Sequence, residues 1–163
     1  MVKFGTGGWR AVIGDEFTKE NIQLLAQGMV NKMQNEGVTD RGIVMGYDRR
    51  FLSKEAMQWA AMVFAAAHIK VYLINKSSPT PLVMFYVMKH EFPYGMMITA
   101  SHNPAIYNGI KVFTAGGRDA DEVQFREVSL TPYMGSNATF KPASRIACIS
   151  TDAMILSRYS FSG

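Results

Sequence analysis

Gly42-Ile43-Val44-Met45-Gly46-Tyr47-Asp48-Arg49-Arg50 is a short apolar run bounded by glycines that breaks abruptly into charge. A near-continuous apolar run of this length fits a strand buried on both faces, which in turn demands helices above and below the sheet. Asp48, Arg49 and Arg50 then sit just past its carboxyl end. Before it, Ile22, Leu25, Met29 and Met33, with Ala26 and Val30 beside them, recur every three or four residues from Thr18 to Glu36, and Gly37 ends the run. That spacing predicts an amphipathic helix, with Thr18 as its cap and Glu20 at the positive end of its dipole. After it, a second helix is expected from Ser53, a candidate cap, through Met57, Trp59, Met62, Val63 and Phe64 to Ala67, followed by a strand at Ile69–Ile74.

Ser77-Ser78-Pro79-Thr80-Pro81 reads as a turn, because each proline disfavours helix in the residue before it, until Pro81 opens a third helix over Leu82–His90. Tyr94–Thr99 and Gly109–Phe113 read as third and fourth strands. Strands alternating with helices give an α/β fold class, a three-layer α/β/α domain with about four strands. After Val123 the texture changes: ten Ser and Thr fall in the last 40 residues, against ten in the first 123. No sustained helical or strand period is evident there, so residues 1–123 are expected to form the domain and 124–163 an atypical tail. Phe125, Tyr133, Phe140 and Tyr159 argue against complete disorder in that tail.

The 163 residues carry 17 Lys and Arg against 13 Asp and Glu, and the net charge of +4 lacks the dense basic block that nucleic acid binding favours. A small anionic ligand suits it equally well. The single Cys148 excludes an internal disulfide framework. No apolar run approaches the roughly 18 to 20 residues of a membrane span. The glycines that follow Phe4 leave no signal core, and a cytoplasmic location is expected.

The polar loop Thr99-Ala100-Ser101-His102-Asn103-Pro104 lies between two predicted strands, where α/β folds place ligands. Ser101 is a candidate nucleophile or phosphate carrier. A Ser–His hydrolase is disfavoured, since neighbouring side chains of an extended segment point apart and Ser101 lacks a Gly-x-Ser-x-Gly elbow. Gly5-Thr6-Gly7-Gly8 can bring backbone amides to an anion, Arg10 offers a planar fork for phosphate, and Lys111 adds a mobile charge. This cluster is neither a dinucleotide fingerprint nor a nucleotide P-loop. Asp48 and Arg50 suit a structural ion pair or cap, Arg49 a solvated position.

Phe4-Gly5-Thr6-Gly7-Gly8-Trp9-Arg10, Gly46-Tyr47-Asp48-Arg49-Arg50, Pro79-Thr80-Pro81, Thr99–Pro104 and Tyr107–Lys111 stand in an order that resembles the first domain of the α-D-phosphohexomutases. The resemblance covers about residues 1–123 and implies a mixed sheet. It implies that Ser101 is phosphorylated and passes its phosphoryl group to a hexose phosphate, so that phosphate moves between the sugar's 1 and 6 positions. It places Arg10, His102 and Lys111 in the active site, with Lys111 a candidate for proton transfer, and makes Ser101 one contact of a Mg2+ ion. Glucose 1,6-bisphosphate is the implied activator. The opening segment is nearer to phosphoglucomutases and phosphomannomutases than to phosphoglucosamine mutases, with a lean to glucose.

Relatives of that kind have four domains, with the magnesium carboxylates in an Asp-Gly-Asp-x-Asp-Arg loop that this sequence lacks. Asp119-Ala120-Asp121 is not a substitute, since it has neither the glycine nor the third aspartate. The isolated chain is therefore expected to be poorly active or inactive, and to self-associate through surface that further domains would cover. A non-catalytic sugar-phosphate-binding or interaction module remains the alternative. No nucleic acid or membrane partner is expected.

Overall fold

The computed structural model describes residues 8–120, 146–149 and 157–158. The chain order is β1 (Trp9–Val12), α1 (Lys19–Asn35), β2 (Ile43–Tyr47), α2 (Ser53–Ala66), β3 (Val71–Ile74), α3 (Thr80–Lys89), β4 (Tyr94–Ile98), β5 (Tyr107–Thr114), β6 (Arg118–Asp119), β7 (Ile146–Ile149) and β8 (Ser157–Arg158). All the strands join one mixed sheet in the order β1-β5-β4-β2-β3-β7-β8, with β6 paired to β5. β2 lies parallel to both β3 and β4, whereas β5 is antiparallel to both β1 and β4.

The three layers follow from burial. Ile22, Leu25, Met29 and Met33 of α1 and Ala56, Ala60 and Phe64 of α2 pack on one face of the sheet, against Ile43, Met45, Met96, Ile98 and Ile110. Val83 and Val87 of α3 cover the other face, against Val44, Ile74, Met97 and Phe113. The connection from β2 to β3 moves one way across the sheet and that from β3 to β4 moves back. Right-handed crossovers then require α2 and α3 on opposite faces. Gly46 and Gly95 let α3 settle close to the sheet. A Cβ at Gly46 would stand 2.6 Å from Val83 Cγ2, and one at Gly95 would collide with Val87 Cγ2.

The helix signals hold in detail. Thr18 caps α1, its hydroxyl accepting from the Asn21 amide at 3.3 Å, and Pro81 sits in the first turn of α3. Ser53 corrects its expected role. It is the first residue of α2, preceded by Leu52 in a left-handed conformation, and its side chain caps no helix amide. Instead it is buried and bonded to groups distant in sequence, described below.

The expected four strands also undercount the sheet. β1 was hidden by its length and by the glycines before it: its four residues become a strand because β5 offers them an edge, Trp9 facing Ile110 and Val12 facing Tyr107. β6, a two-residue piece, folds back on the end of β5. The segment 124–163, read as lacking any strand period, supplies β7, which extends the parallel edge beyond β3, and β8, which pairs with β7. Four residues are too few for a period to show.

Candidate active site

β2 and β4 are neighbours, and their connections leave in opposite directions, to β3 on one side and to β5 on the other. Such a divergence opens a crevice beyond the carboxyl ends of the strands. The segments 48–52 and 99–106 fill its rim. Thr99 is buried at the stem of the second segment, its amide donating to the Gly109 carbonyl at 2.9 Å and its hydroxyl accepting from the Ser101 amide at 2.9 Å. Asn103 N–H donates to the Ala100 carbonyl at 3.1 Å, closing a turn.

That turn places Ser101 at φ +55°, in the left-handed region that costs a residue with a side chain about 1–2 kcal/mol. The serine is exposed there. Strain of this kind is held only where surrounding bonds over-determine it. The turn also corrects the extended reading of Ser101–His102: Oγ and His102 Nδ1 stand 3.5 Å apart. The contact is long, and among the described residues no carboxylate orients the imidazole. A hydrolase triad is therefore still disfavoured, for a different reason.

Arg10 and Lys111 share one face of the sheet through strand register. Arg10 pairs with Gly109, and Lys111, two residues further along β5, emerges on the same face of the sheet. Arg10 Nε is buried and has no hydrogen-bond partner among the described residues. A buried guanidinium nitrogen left unpaired is costly, and no described residue satisfies this one. Gly109 matters because a Cβ there would strike the Trp9 carbonyl and stand 3.0 Å from the Thr99 carbonyl. Its bareness lets Arg10 and the stem of the serine loop approach each other. Lys111 is held by Asp119, Nζ to Oδ1 3.2 Å, across the β5–β6 hairpin.

Of the glycine cluster, Gly8 takes φ +113° beside Ile110 and Lys111, while Gly5, Thr6 and Gly7 lie outside the described residues, as does Asp121. Arg49 is exposed, its Nε 3.4 Å from Ser77 Oγ. Asp48 and Arg50 form the expected ion pair, Oδ2 to Nε 3.6 Å. Arg50 does more than the sequence suggested. Its guanidinium donates to the backbone carbonyls of Ser101, Asn103, Pro104 and Tyr107. Asn108 was also missed as a functional contributor. It is wholly buried, donating to the Phe51 carbonyl at 3.0 Å and Ser53 Oγ at 2.8 Å and accepting from the Gly109 amide at 2.8 Å. The signal available for both was a charged group at a strand end and an Asn-Gly pair inside an apolar strand.

Residues 1–129 match the family described as phosphoglucomutase/phosphomannomutase, alpha/beta/alpha domain I. The chain belongs to that family. A phosphoglucomutase of Staphylococcus haemolyticus is 39% identical over 129 residues, covering 77% of this chain and 23% of its own length. A Schizosaccharomyces pombe protein assigned to the phosphoribomutases is 37% identical over 121 residues, 71% of this chain and 21% of the relative. The crystal structure of a Thermus thermophilus protein assigned to the phosphomannomutases superposes with a TM-score of 0.75 at 34% identity, over 80% of this chain and 30% of that one. The chain thus spans about a quarter of the length of the curated relatives it matches.

The magnesium ion implied by a phosphohexomutase needs several hard oxygen ligands. Ser101 would supply one of them. Among the described residues no group of three His, Cys, Asp or Glu could hold a metal, Asp48 is taken by Arg50 and Ser53, and Asp119 by Lys111. The described residues therefore do not make a magnesium site by themselves. No described helix is long and apolar enough to cross a membrane.

Proposed function

We propose that this chain carries the phosphoserine step of a phosphohexomutase. Ser101 Oγ takes a phosphoryl group from a hexose bisphosphate and returns one to a hexose monophosphate, the net change being movement of phosphate between the 1 and 6 positions. In the first half-reaction the Oγ–P bond forms as a sugar O–P bond breaks, the serine proton leaves Oγ, and the sugar oxygen gains one. The observation that carries this reading is an exposed serine held in a strained turn between β4 and β5; it is supported by the buried Arg10 Nε on β1, which has no partner among the described residues.

Each group has a task in that chemistry. A phosphoserine bears about −1.5 to −2 charges at neutral pH and would repel an incoming sugar phosphate. Arg10 and Lys111 offset that repulsion, and Arg10 adds a planar fork that matches phosphate oxygens. Proton movement is assigned to His102, whose Nδ1 stands 3.5 Å from Oγ, and to Lys111 as the resemblance implies. Magnesium, when bound, neutralises charge on the moving phosphoryl group. Its remaining ligands and the sugar-binding contacts are assigned to other parts of an intact mutase, so the chain alone turns over poorly.

The test is the intact mass of the purified chain before and after incubation with glucose 1,6-bisphosphate and Mg2+, with Ser101→Ala in parallel. Gain of one phosphoryl group by the parent alone is expected. A parent that gains none while correctly folded overturns the reading. The absence of a metal cluster among the described residues favours a second reading, a sugar-phosphate-binding module without turnover. It requires binding of glucose 6-phosphate that survives Ser101→Ala with no phosphate gained.

A further inference from the structure

Three carbonyls of one surface loop and the first carbonyl of β5 converge on a single side chain. Arg50 Nη1 stands 2.9 Å from both the Pro104 and the Tyr107 oxygens, and Nη2 stands 2.9 Å from the Ser101 oxygen and bonds that of Asn103 as well. Those contacts employ all four Nη hydrogens of the guanidinium. The partner carboxylate takes a lesser share: at 3.6 Å from Nε, Asp48 Oδ2 attracts the charge without a good hydrogen bond. Asp48 aims the fork, and the loop receives the donors.

The aim is fixed from the core outwards. Asp48 Oδ1 accepts from the Arg50 amide at 2.9 Å and from Ser53 Oγ at 2.7 Å. Ser53 Oγ in turn accepts from Asn108, which is anchored in β5 with no exposure at all. A guanidinium set this way is rigid, whereas the loop has every reason to relax, since Ser101 occupies a left-handed conformation. Releasing that conformation would swing Oγ away. Because a trans peptide is planar, turning the Ser101 carbonyl towards Arg50 also turns the His102 amide to the opposite side.

We infer that Arg50 is a positioning residue for the chemistry of Ser101. Its guanidinium locks residues 101–107 in the backbone conformation that presents Oγ, and it does so through donor geometry rather than charge. Lysine, a point charge with three donors, cannot span four carbonyls. The inference deepens the phosphoserine reading and rests on it for its catalytic consequence.

Two measurements on the parent, Arg50→Lys and Asp48→Asn test it. The first is amide hydrogen exchange. Ser101, Asn103 and Tyr107 N–H are each bonded within the loop, so they report its closure. Exchange at these three amides should speed up about tenfold or more in Arg50→Lys, with strand amides of β4 unchanged. The second is the rate of phosphate uptake from glucose 1,6-bisphosphate. Its maximum should fall about 100-fold in Arg50→Lys, as expected when a nucleophile is misplaced by an ångström, while the half-saturating donor concentration moves less than about threefold. Asp48→Asn, which leaves the fork but loosens its aim, should fall between the two. Unchanged exchange at the three amides overturns the inference whether or not the parent takes up phosphate. Unchanged uptake per folded molecule in Arg50→Lys also overturns it, leaving Arg50 a structural residue only. A parent that takes up no phosphate removes the phosphoserine reading instead, and the exchange result still decides the clamp.

Discussion

Replacing Asn108 by alanine should cost about 2–4 kcal/mol of folding stability, a large share of the roughly 5–15 kcal/mol typical of a domain. The magnitude follows from three bonds made by one wholly buried side chain. The bond to the Phe51 carbonyl is only partly buried, so water can replace the lost amide there at lower cost. Ser53 keeps its bond to Asp48 and loses only an incoming donor. The Gly109 amide fares worst, since it sits in a buried strand and loses the acceptor 2.8 Å away. An unsatisfied buried donor costs about 1–3 kcal/mol, and the emptied volume adds to it. Urea unfolding followed by circular dichroism is the assay. With a slope of about 1–3 kcal/mol per molar, the midpoint should drop by about 1–2 M. Asn108→Asp, which retains an acceptor for Gly109 but turns an oxygen towards the Phe51 carbonyl, should be destabilised as well. An alanine variant within about 0.5 kcal/mol of the parent would refute the reasoning and show that the buried relay contributes shape alone.

Three other outcomes are expected. Ser101→Gly should raise stability by about 1 kcal/mol while abolishing phosphate uptake, because glycine adopts φ +55° without strain; a lower melting temperature would argue against the left-handed turn. Gly95→Ala should destabilise by about 1–2 kcal/mol in the same urea assay, since its Cβ has Val87, Val83 and Val44 around it and α3 must lift to admit it. The third concerns pH and the pair Glu36–Tyr94. Burial raises the Glu36 carboxyl, but hydrogen bonds from Lys32 and Tyr94 and the charge of Lys32 outweigh it, so its pKa lies below the ordinary 4.5. The carboxylate therefore stabilises the fold above pH 4.5, and that contribution is lost as pH falls through the lowered value. Burial first, and then the bond to Glu36, push the Tyr94 hydroxyl above its ordinary 10, so its contribution is complete below pH 10 and lost as pH rises further. Urea midpoints measured across both ranges should flatten at the acid end in Glu36→Gln and at the alkaline end in Tyr94→Phe; unaltered profiles would count against the pair.

The centre of the sheet was legible because its strands are buried on both faces. Ile43–Tyr47 and Tyr94–Ile98 read as apolar runs without needing any knowledge of their neighbours. β1 was not legible, because Trp9–Val12 is a strand only by virtue of the edge that β5 presents, and its preceding glycines looked like a loop. Ser53 shows the same limit at the level of one side chain. Next to a helix start, a serine suggests a cap, and nothing local reveals that its partner is Asn108, which the fold brings across from β5. For the site, the chemistry-bearing residue types were visible in the loop from Thr99 to Pro104, but its conformation was not. The left-handed turn at Ser101 depends on carbonyls held by Arg50, an arginine that local reasoning had paired only with Asp48.

β5 lies between β1 and β4, yet it follows both in the chain. During synthesis Trp9 and Arg10 emerge early and have no strand to join until Tyr107–Thr114 has left the ribosome. β2, α2, β3, α3 and β4 can associate before then through nearby contacts, whereas closing β1 onto β5 spans most of the described chain and is slow for that reason. Arg10, Lys111 and the stem of the serine loop come together at that single late event. An unfinished or misfolded chain thus holds much of the hydrophobic core without the corner where β1, β5 and the serine loop meet.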